Sequence, residues 1–161
     1  MSGSNAAKKK FLVTGGTGFI GSAITRRLVR QGHSVRVLDN HSRGANRRLA
    51  DIMGSFEMQT GDVRDPAVVA RAVEGMDAVH HLAFVNGTEY FYSMPETVLE
   101  VGVKGMMNVI DACRQYDVGT LILASSSEVY QSPSAIPTAE DAPLVVPDPM
   151  NARYSYGGGK I

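Results

Sequence analysis

The sequence contains very little cysteine, and this scarcity excludes several kinds of protein. The one cysteine among 161 residues, Cys113, cannot form a disulfide within the chain. A disulfide-stabilised scaffold is therefore excluded, and a reducing, cytoplasmic location is favoured. Neither the cysteine nor the four histidines form a cluster at metal-ligand spacing, so we expect no metal site.

An excess of charge and a long apolar run are absent as well. Sixteen basic and sixteen acidic residues cancel, which argues against a nucleic-acid-binding or membrane-surface protein. No apolar run approaches the ~20 residues of a membrane span. We therefore expect neither a nucleic acid nor a membrane as a partner. The composition is typical of one soluble globular domain, which we assign to residues 10–161, preceded by a flexible tail over residues 1–9.

Short apolar strands alternate with helical segments along the chain. The pattern predicts strands at Lys10–Thr14, Ser34–Asp39, Phe56–Thr60, Asp77–Leu82 and Thr120–Ser125. It predicts helices at Phe19–Gln31, Arg47–Met53, Asp65–Glu74 and Pro95–Tyr116, and an irregular segment at Gln131–Met150. Such alternation is typical of an α/β fold with a doubly wound parallel sheet, and right-handed crossovers give the strand order 3-2-1-4-5.

A glycine-rich turn joins the first strand to the first helix. Its glycines fit the pattern G-x-G-x-x-G if it starts at Gly16, and the wider pattern G-x-x-G-x-x-G if it starts at Gly15. Gly18 and Gly21 are the last two glycines of both patterns. Glycines at this spacing permit a tight turn and close approach of the backbone to a pyrophosphate. The helix that starts near Phe19 and Ile20 directs its amide groups at the phosphates. The turn therefore predicts a dinucleotide site of the Rossmann type.

An acidic residue follows at the end of the second strand. Asp39 lies 18 positions beyond Gly21, about where a carboxylate binds the adenosine ribose. A carboxylate there repels a 2′-phosphate, so the sequence favours NAD over NADP, and Asn40 could share the ribose contact. Arg36 and Arg43 lie close enough in sequence to keep NADP open as an alternative.

Several further motifs occur in order along the chain. They are Asp62-Val63 after the third strand, His81-Leu82-Ala83 at the fourth, Ser125 to Tyr130 (SSSEVY) at the fifth, and the pair Tyr156 and Lys160 (YxxxK). Together with Thr14 to Gly21 (TGGTGFIG), they resemble the extended short-chain dehydrogenase/reductase family, from Phe11 to the last residue. The likeness is greatest to its nucleotide-sugar epimerases, dehydratases and decarboxylases.

The resemblance implies a role for each motif. Asp62 and Val63 contact the adenine, and Leu82 and Ala83 flank the cofactor. Tyr156 takes a proton from a sugar hydroxyl, Lys160 stabilises the phenolate and holds the nicotinamide ribose, and Ser126 binds the reacting oxygen. Dehydratases and decarboxylases of the family commonly have an acidic residue where Glu128 stands, and it is expected to remove the proton next to the transient ketone, with capping or pairing inside the loop as the alternative. The implied substrate is a nucleotide sugar (UDP-, GDP- or dTDP-linked), and the implied assembly is a homodimer.

Two positions depart from the family pattern. Gly102 stands where the family often has asparagine, and Gln131 where it often has glycine. Extended members also continue beyond Ile161, so we expect the later strands and the substrate domain to be missing here, and turnover by this chain alone is in question. Two alternatives remain open: an NAD(P)-dependent dehydrogenase or reductase of another alcohol or ketone, and a non-catalytic NAD-binding module.

Overall fold

A computed structural model describes residues 7–161, so most of the predicted tail lies outside the described residues. Five parallel strands form one sheet in the order β3-β2-β1-β4-β5, which confirms the predicted fold class and topology. The strands are β1 (Lys10–Thr14), β2 (Ser34–Asp39), β3 (Glu57–Thr60), β4 (Ala78–His81) and β5 (Thr120–Leu123). The order changes direction between β1 and β4, and a crevice forms at such a point outside the carboxyl ends of the strands.

Helices cover both faces of the sheet. They are α1 (Phe19–Arg30), α2 (Pro66–Val73), α3 (Thr88–Ser93), α4 (Pro95–Leu99), α5 (Gly105–Gln115) and α6 (Ser155–Gly158). Leu12 packs in a core with α2 and α5, whereas its neighbour Val13 packs in a core with Leu28 of α1. Successive side chains of a strand point to opposite faces. A strand buried on both faces is therefore apolar throughout, which is why these runs could be recognised.

The predicted helix Pro95–Tyr116 is present over almost its full extent, but it is not regular. A π-helical segment, Glu100–Lys104, joins α4 to α5. Segments of this kind occur often at functional sites. Here the π-helical segment contains the buried residues Val101 and Gly102, and Val101 faces the crevice at the end of the sheet.

Three local differences from the sequence-based prediction are found. The helix expected at Arg47–Met53 is a 3₁₀ helix over Asn46–Ile52. Helix α3 was not predicted. The fifth strand ends at Leu123 rather than Ser125, although the amide of Ala124 still donates to the carbonyl of His81 at 3.2 Å. Gln131–Met150 contains neither helix nor strand, as predicted.

Within residues 7–161, none of the helices combines the length and the apolar character that crossing a membrane requires. The same part of the chain contains no group of three or more histidine, cysteine or acidic side chains arranged to hold a metal ion.

Candidate functional site

The glycine turn after β1 is built so that side chains would obstruct it. Gly15 has a φ of +71°, and a Cβ there would lie 2.9 Å from the amide nitrogen of Ala83 at the end of β4. A Cβ on Gly21 would collide with the carbonyl group of Gly15. The first turn of α1 thus packs directly against the glycine turn, and its free amide groups face the crevice.

The turn is fastened to the end of β2. The amide of Gly15 donates to the carbonyl of Leu38 at 2.8 Å, and the amide of Thr17 donates to Oδ2 of Asp39 at 2.9 Å. The other carboxylate oxygen of Asp39 accepts the amide of His41 at 2.8 Å. Each oxygen keeps a lone pair, so Asp39 can hold the turn and still accept a hydroxyl group from the crevice.

The crevice contains two adjoining clefts. The first lies above β2, β1 and β4, and eight predicted residues line it: Gly15, Gly18, Asp39, Asn40, Asp62, Val63, Leu82 and Ala83. Asn40 donates to Asp62 at 3.0 Å. The hydrogen-bonded Arg64 guanidinium lowers the pKa of Asp62 from 3.8 to about 2. The Asp62 carboxylate therefore stays charged at neutral pH and fixes Asn40 at the rim.

The second cleft continues past the glycine turn towards α6. Its lining includes the remaining predicted cofactor residues, namely Phe19, Ile20, Gly21, Tyr156 and Lys160, and it shares Gly15 and Gly18 with the first cleft. Phe19 and Ile20 are 84% and 61% exposed, so they border an open mouth. Every predicted cofactor-binding residue thus lines one of the two clefts, although its contact with a cofactor stays a prediction.

Tyr156 and Lys160 are held at the inner end of the second cleft, and each is 8% exposed. The Tyr156 ring stacks on Phe91, with ring centroids 4.9 Å apart. The Lys160 ammonium lies 5.9 Å from the centroid of the Tyr156 ring and donates to the carbonyl of Ala124. Burial lowers the pKa of Lys160 from 10.5 to about 8, so the charged form still predominates at pH 7.

Ser126 and Glu128 lie outside both clefts, whereas the neighbouring Ser125 lines the second one. The hydroxyl of Ser126 accepts the amide of Glu128 at 3.2 Å. The Glu128 carboxylate pairs with Arg153 at 2.9 Å, which is the alternative that the sequence left open. The catalytic roles of Ser126 and Glu128 stay predictions.

A buried histidine connects β4 to the glycine turn. The hydroxyl oxygen of Thr14 accepts the amides of Leu82 and Ala83, both at 3.1 Å, and lies 2.8 Å from Nδ1 of His81. Both lone pairs of the hydroxyl are then used. We infer that Thr14 donates its hydrogen to Nδ1 and that the ring proton is on Nε2. Within residues 7–161, Nε2 of His81 has no hydrogen-bond partner.

Sequence reasoning did not identify several residues at the site, and three of them have side chains with a clear structural role. Phe84 lines both clefts, Arg48 lines the second, and Phe91 supports Tyr156. Arg48 also donates to the carbonyl of Thr17 at 3.2 Å. No spacing rule in the sequence singles out Arg48. The two phenylalanines follow no spacing rule.

These features define a dinucleotide-binding protein of the Rossmann type. The turn that admits no Cβ at Gly15 or Gly21, the buried Asp39 at the end of β2 and the two connected clefts form a cradle that fits a dinucleotide. Residues 11–160 match the NAD dependent epimerase/dehydratase family. The chain belongs to this family, as the sequence predicted.

The names of relatives within the family refer to different UDP-linked sugars. The chain is 34% identical to UDP-glucuronic acid decarboxylase 1 of Danio rerio, over 98% of the chain and 36% of the relative. It is 34% identical to UDP-glucose 4-epimerase of Lactobacillus helveticus, over 94% of the chain and 44% of the relative. The chain therefore spans less than half the length of either curated relative.

Solved structures agree with the family assignment. A crystal structure of UDP-galactose 4-epimerase has a TM-score of 0.81 at 33% identity, covering 94% of this chain and 48% of that one. The Bordetella bronchiseptica enzyme WbmG in complex with NAD has a TM-score of 0.83 at 25% identity, covering 98% and 48%. NAD, the predicted cofactor, is thus the cofactor of the family.

Replacing Gly15 with alanine is expected to weaken NAD binding by about tenfold or more, because a strained turn pushed away from Ala83 no longer presents its amides to the pyrophosphate. Isothermal titration calorimetry measures this affinity. Gly32→Ala is the matched control, since Gly32 also has a positive φ, +83°, but a Cβ there meets nothing within 4 Å. Equal affinities for the two variants would contradict the assigned role of the turn.

Proposed function

We propose that this chain is the cofactor-binding and catalytic part of an enzyme that modifies a nucleotide sugar by transient oxidation of a ring hydroxyl. One observation carries the proposal: Tyr156 and Lys160 line the same cleft as the glycine turn, and both are almost fully buried. A proton-transfer pair beside a dinucleotide cradle suits oxidation of an alcohol. The names of the relatives support a UDP-linked sugar as the substrate.

Different residues of the chain bind the cofactor and transfer the proton. Asp39, Asn40 and the glycine turn bind the adenosine and pyrophosphate groups of NAD. Bound NAD supplies the hydride acceptor. Tyr156 takes the proton of the sugar hydroxyl at its phenolate oxygen, and the Lys160 ammonium offsets the negative charge of that oxygen. Tyr156 would return the same proton to the sugar oxygen when the carbonyl is reduced back to a hydroxyl.

The fate of the oxidised sugar separates the activities within this family. A carbonyl next to a C–H bond or a carboxylate makes loss of a proton, water or carbon dioxide easier. Glu128 is our predicted base for removal of the proton next to that carbonyl, whereas loss of carbon dioxide from a carboxylate needs no base. Its ion pair with Arg153 keeps it close to α6, and it would have to leave that partner to reach the substrate. The expected homodimer is not needed for this chemistry and stays a prediction.

Turnover by the full-length protein tests the proposal. The protein is incubated with NAD and a panel of UDP-, GDP- and dTDP-sugars, including UDP-glucuronic acid and UDP-glucose, and the products are analysed by mass spectrometry and NMR. We expect conversion of a UDP-sugar without stoichiometric accumulation of NADH. Unchanged mass indicates epimerisation, and loss of water or of carbon dioxide indicates dehydration or decarboxylation. Net NADH formation from a simple alcohol, with no sugar converted, would overturn the proposal.

A further inference from the structure

Phe84 lies at the junction of the two clefts, three residues beyond β4, and it contacts both members of the Tyr156–Lys160 pair. The Lys160 ammonium lies 4.0 Å from the centroid of the Phe84 ring. The Tyr156 ring meets Phe84 edge to face, with centroids 5.1 Å apart and an interplanar angle of 81°. One aromatic side chain thus contacts the charge of Lys160 and the ring of Tyr156 together.

The ring occupies space that Gly102 leaves free, and it also lies close to Gly159. A Cβ on Gly102, in the π-helical segment, would lie 2.6 Å from Cζ and 2.7 Å from Cε2 of Phe84. A Cβ on Gly159, next to Lys160, would lie 3.4 Å from the same Cζ atom. The position of Phe84 therefore depends on the absence of a side chain at Gly102. The family often has asparagine at this position, and the glycine of this chain makes room for the ring of Phe84.

Few other groups stabilise the charge of Lys160. Its ammonium donates to the carbonyl of Ala124, and the ion pairs found within residues 7–161 do not include it. His81, the last residue of β4, lies close enough to Lys160 for the two charges to interact. Its imidazole is neutral at pH 7, so it neither stabilises nor opposes the charge of Lys160 at that pH. The face of an aromatic ring attracts a cation through its quadrupole, and more strongly when water is excluded.

We propose that Phe84, seated in the space beside Gly102, is a positioning residue that holds the Lys160 ammonium and the Tyr156 ring in their working arrangement. This inference rests on the proposed function of that pair. Phe84 itself transfers no proton. It acts through Lys160, whose charge it stabilises, and through Tyr156, whose ring it contacts edge to face while Phe91 stacks on the same ring.

The pKa of Lys160, measured by NMR, tests the proposal in the chain as it stands. The sequence has five lysines, Lys8, Lys9, Lys10, Lys104 and Lys160, so ¹³C labelling of the ε-carbons gives few signals, and Lys160→Arg assigns the one of interest. Phe84→Leu keeps an apolar side chain but removes the quadrupole, and we expect the pKa of Lys160 to fall by about one unit.

Gly102 offers a second route to the same readout. Gly102→Ala leaves Phe84 in the sequence but displaces its ring, so it should shift the pKa of Lys160 in the same direction. In the Phe84→Leu background, the added change at Gly102 should have little further effect, because the ring it displaces is gone. Gly105→Ala is the matched control: its Cβ meets Val63 at 2.8 Å and should leave Lys160 unaffected.

An unchanged Lys160 pKa in both Phe84→Leu and Gly102→Ala would overturn the proposal, and so would fully additive effects of the two substitutions. The titration needs neither cofactor nor sugar. A full-length protein that converts no sugar would defeat the proposed function and leave the Lys160 result standing. A normal turnover with an insensitive Lys160 would defeat only the role of Phe84.

Discussion

Replacing Tyr156 with phenylalanine in the full-length protein is expected to lower kcat by roughly 10²–10⁴-fold, the usual contribution of a positioned acid or base. The substitution removes only the hydroxyl group. The stacking on Phe91 and the edge contact with Phe84 are available to either ring, so the fold and the affinity for NAD should change little. Steady-state kinetics with the converted sugar, together with calorimetric NAD binding, separate these two effects.

Tyr154 provides the control for this experiment. It lies two residues earlier, in the 3₁₀ segment Ala152–Tyr154 before α6, and it lines neither cleft. Tyr154→Phe should keep kcat close to that of the wild type. If Tyr156→Phe retained full turnover, another group would have to accept the hydroxyl proton, and our assignment of the base would be wrong.

Acid should destabilise the protein by roughly 3 kcal/mol through His81 alone, counting about 1.4 kcal/mol for each unit of pKa shift. Burial, aided by the nearby charge of Lys160, lowers the pKa of His81 from 6.5 to about 4. A second proton on the ring would also face the hydroxyl of Thr14, whose lone pairs already accept two amides. The folded state thus resists protonation, whereas the unfolded chain takes up the proton near pH 6.5.

The direction of the pH effect follows from this difference. Stability that depends on neutral His81 is fully present above pH 6.5 and is lost as the pH falls from 6.5 to 4, because the unfolded state binds the proton more readily. Urea denaturation at several pH values measures the free energy of unfolding across this window. NMR titration of the ring signal of His81 in the folded protein gives the pKa directly, even if a variant fails to fold.

His81→Gln should flatten the dependence of stability on pH between 4 and 6.5. His33→Gln, just before the amino end of β2 and so at the opposite end of the strands from His81, is the comparison variant and should retain most of the wild-type slope. A His81 that titrates near 6.5 in the folded protein would contradict the inferred hydrogen-bond arrangement around Thr14.

The sheet was predictable because its strands carry a strong signal. In β1, Leu12 and Val13 face opposite cores and are both fully buried, so the apolar run is uninterrupted. The glycine turn and Asp39 were predictable for a related reason, since a dinucleotide cradle needs a particular backbone shape at a particular distance from an acidic strand end. The structure brings these residues together as that argument requires.

The parts that escaped prediction depend on distant residues. Helix α3 has six residues, too few to be stable by their own propensity. Phe91 holds it in place by packing against Val98 and Tyr156. The importance of Phe84 depends on the space next to Gly102, and the residues close to Phe84 in the sequence give no indication of that space. The pairing of Glu128 with Arg153 is likewise set by how the segment before α6 returns to the end of β5.

The hydrogen bonds from Gly15 to Leu38 and from Thr17 to Asp39 have a consequence for the energetics of cofactor capture. A flexible turn has to lose conformational entropy when it closes on a phosphate, and that loss subtracts from the affinity. Here the second strand already holds the turn in shape before any ligand arrives. Most of the interaction energy with the pyrophosphate should therefore be retained as affinity, and association should proceed without a slow ordering step.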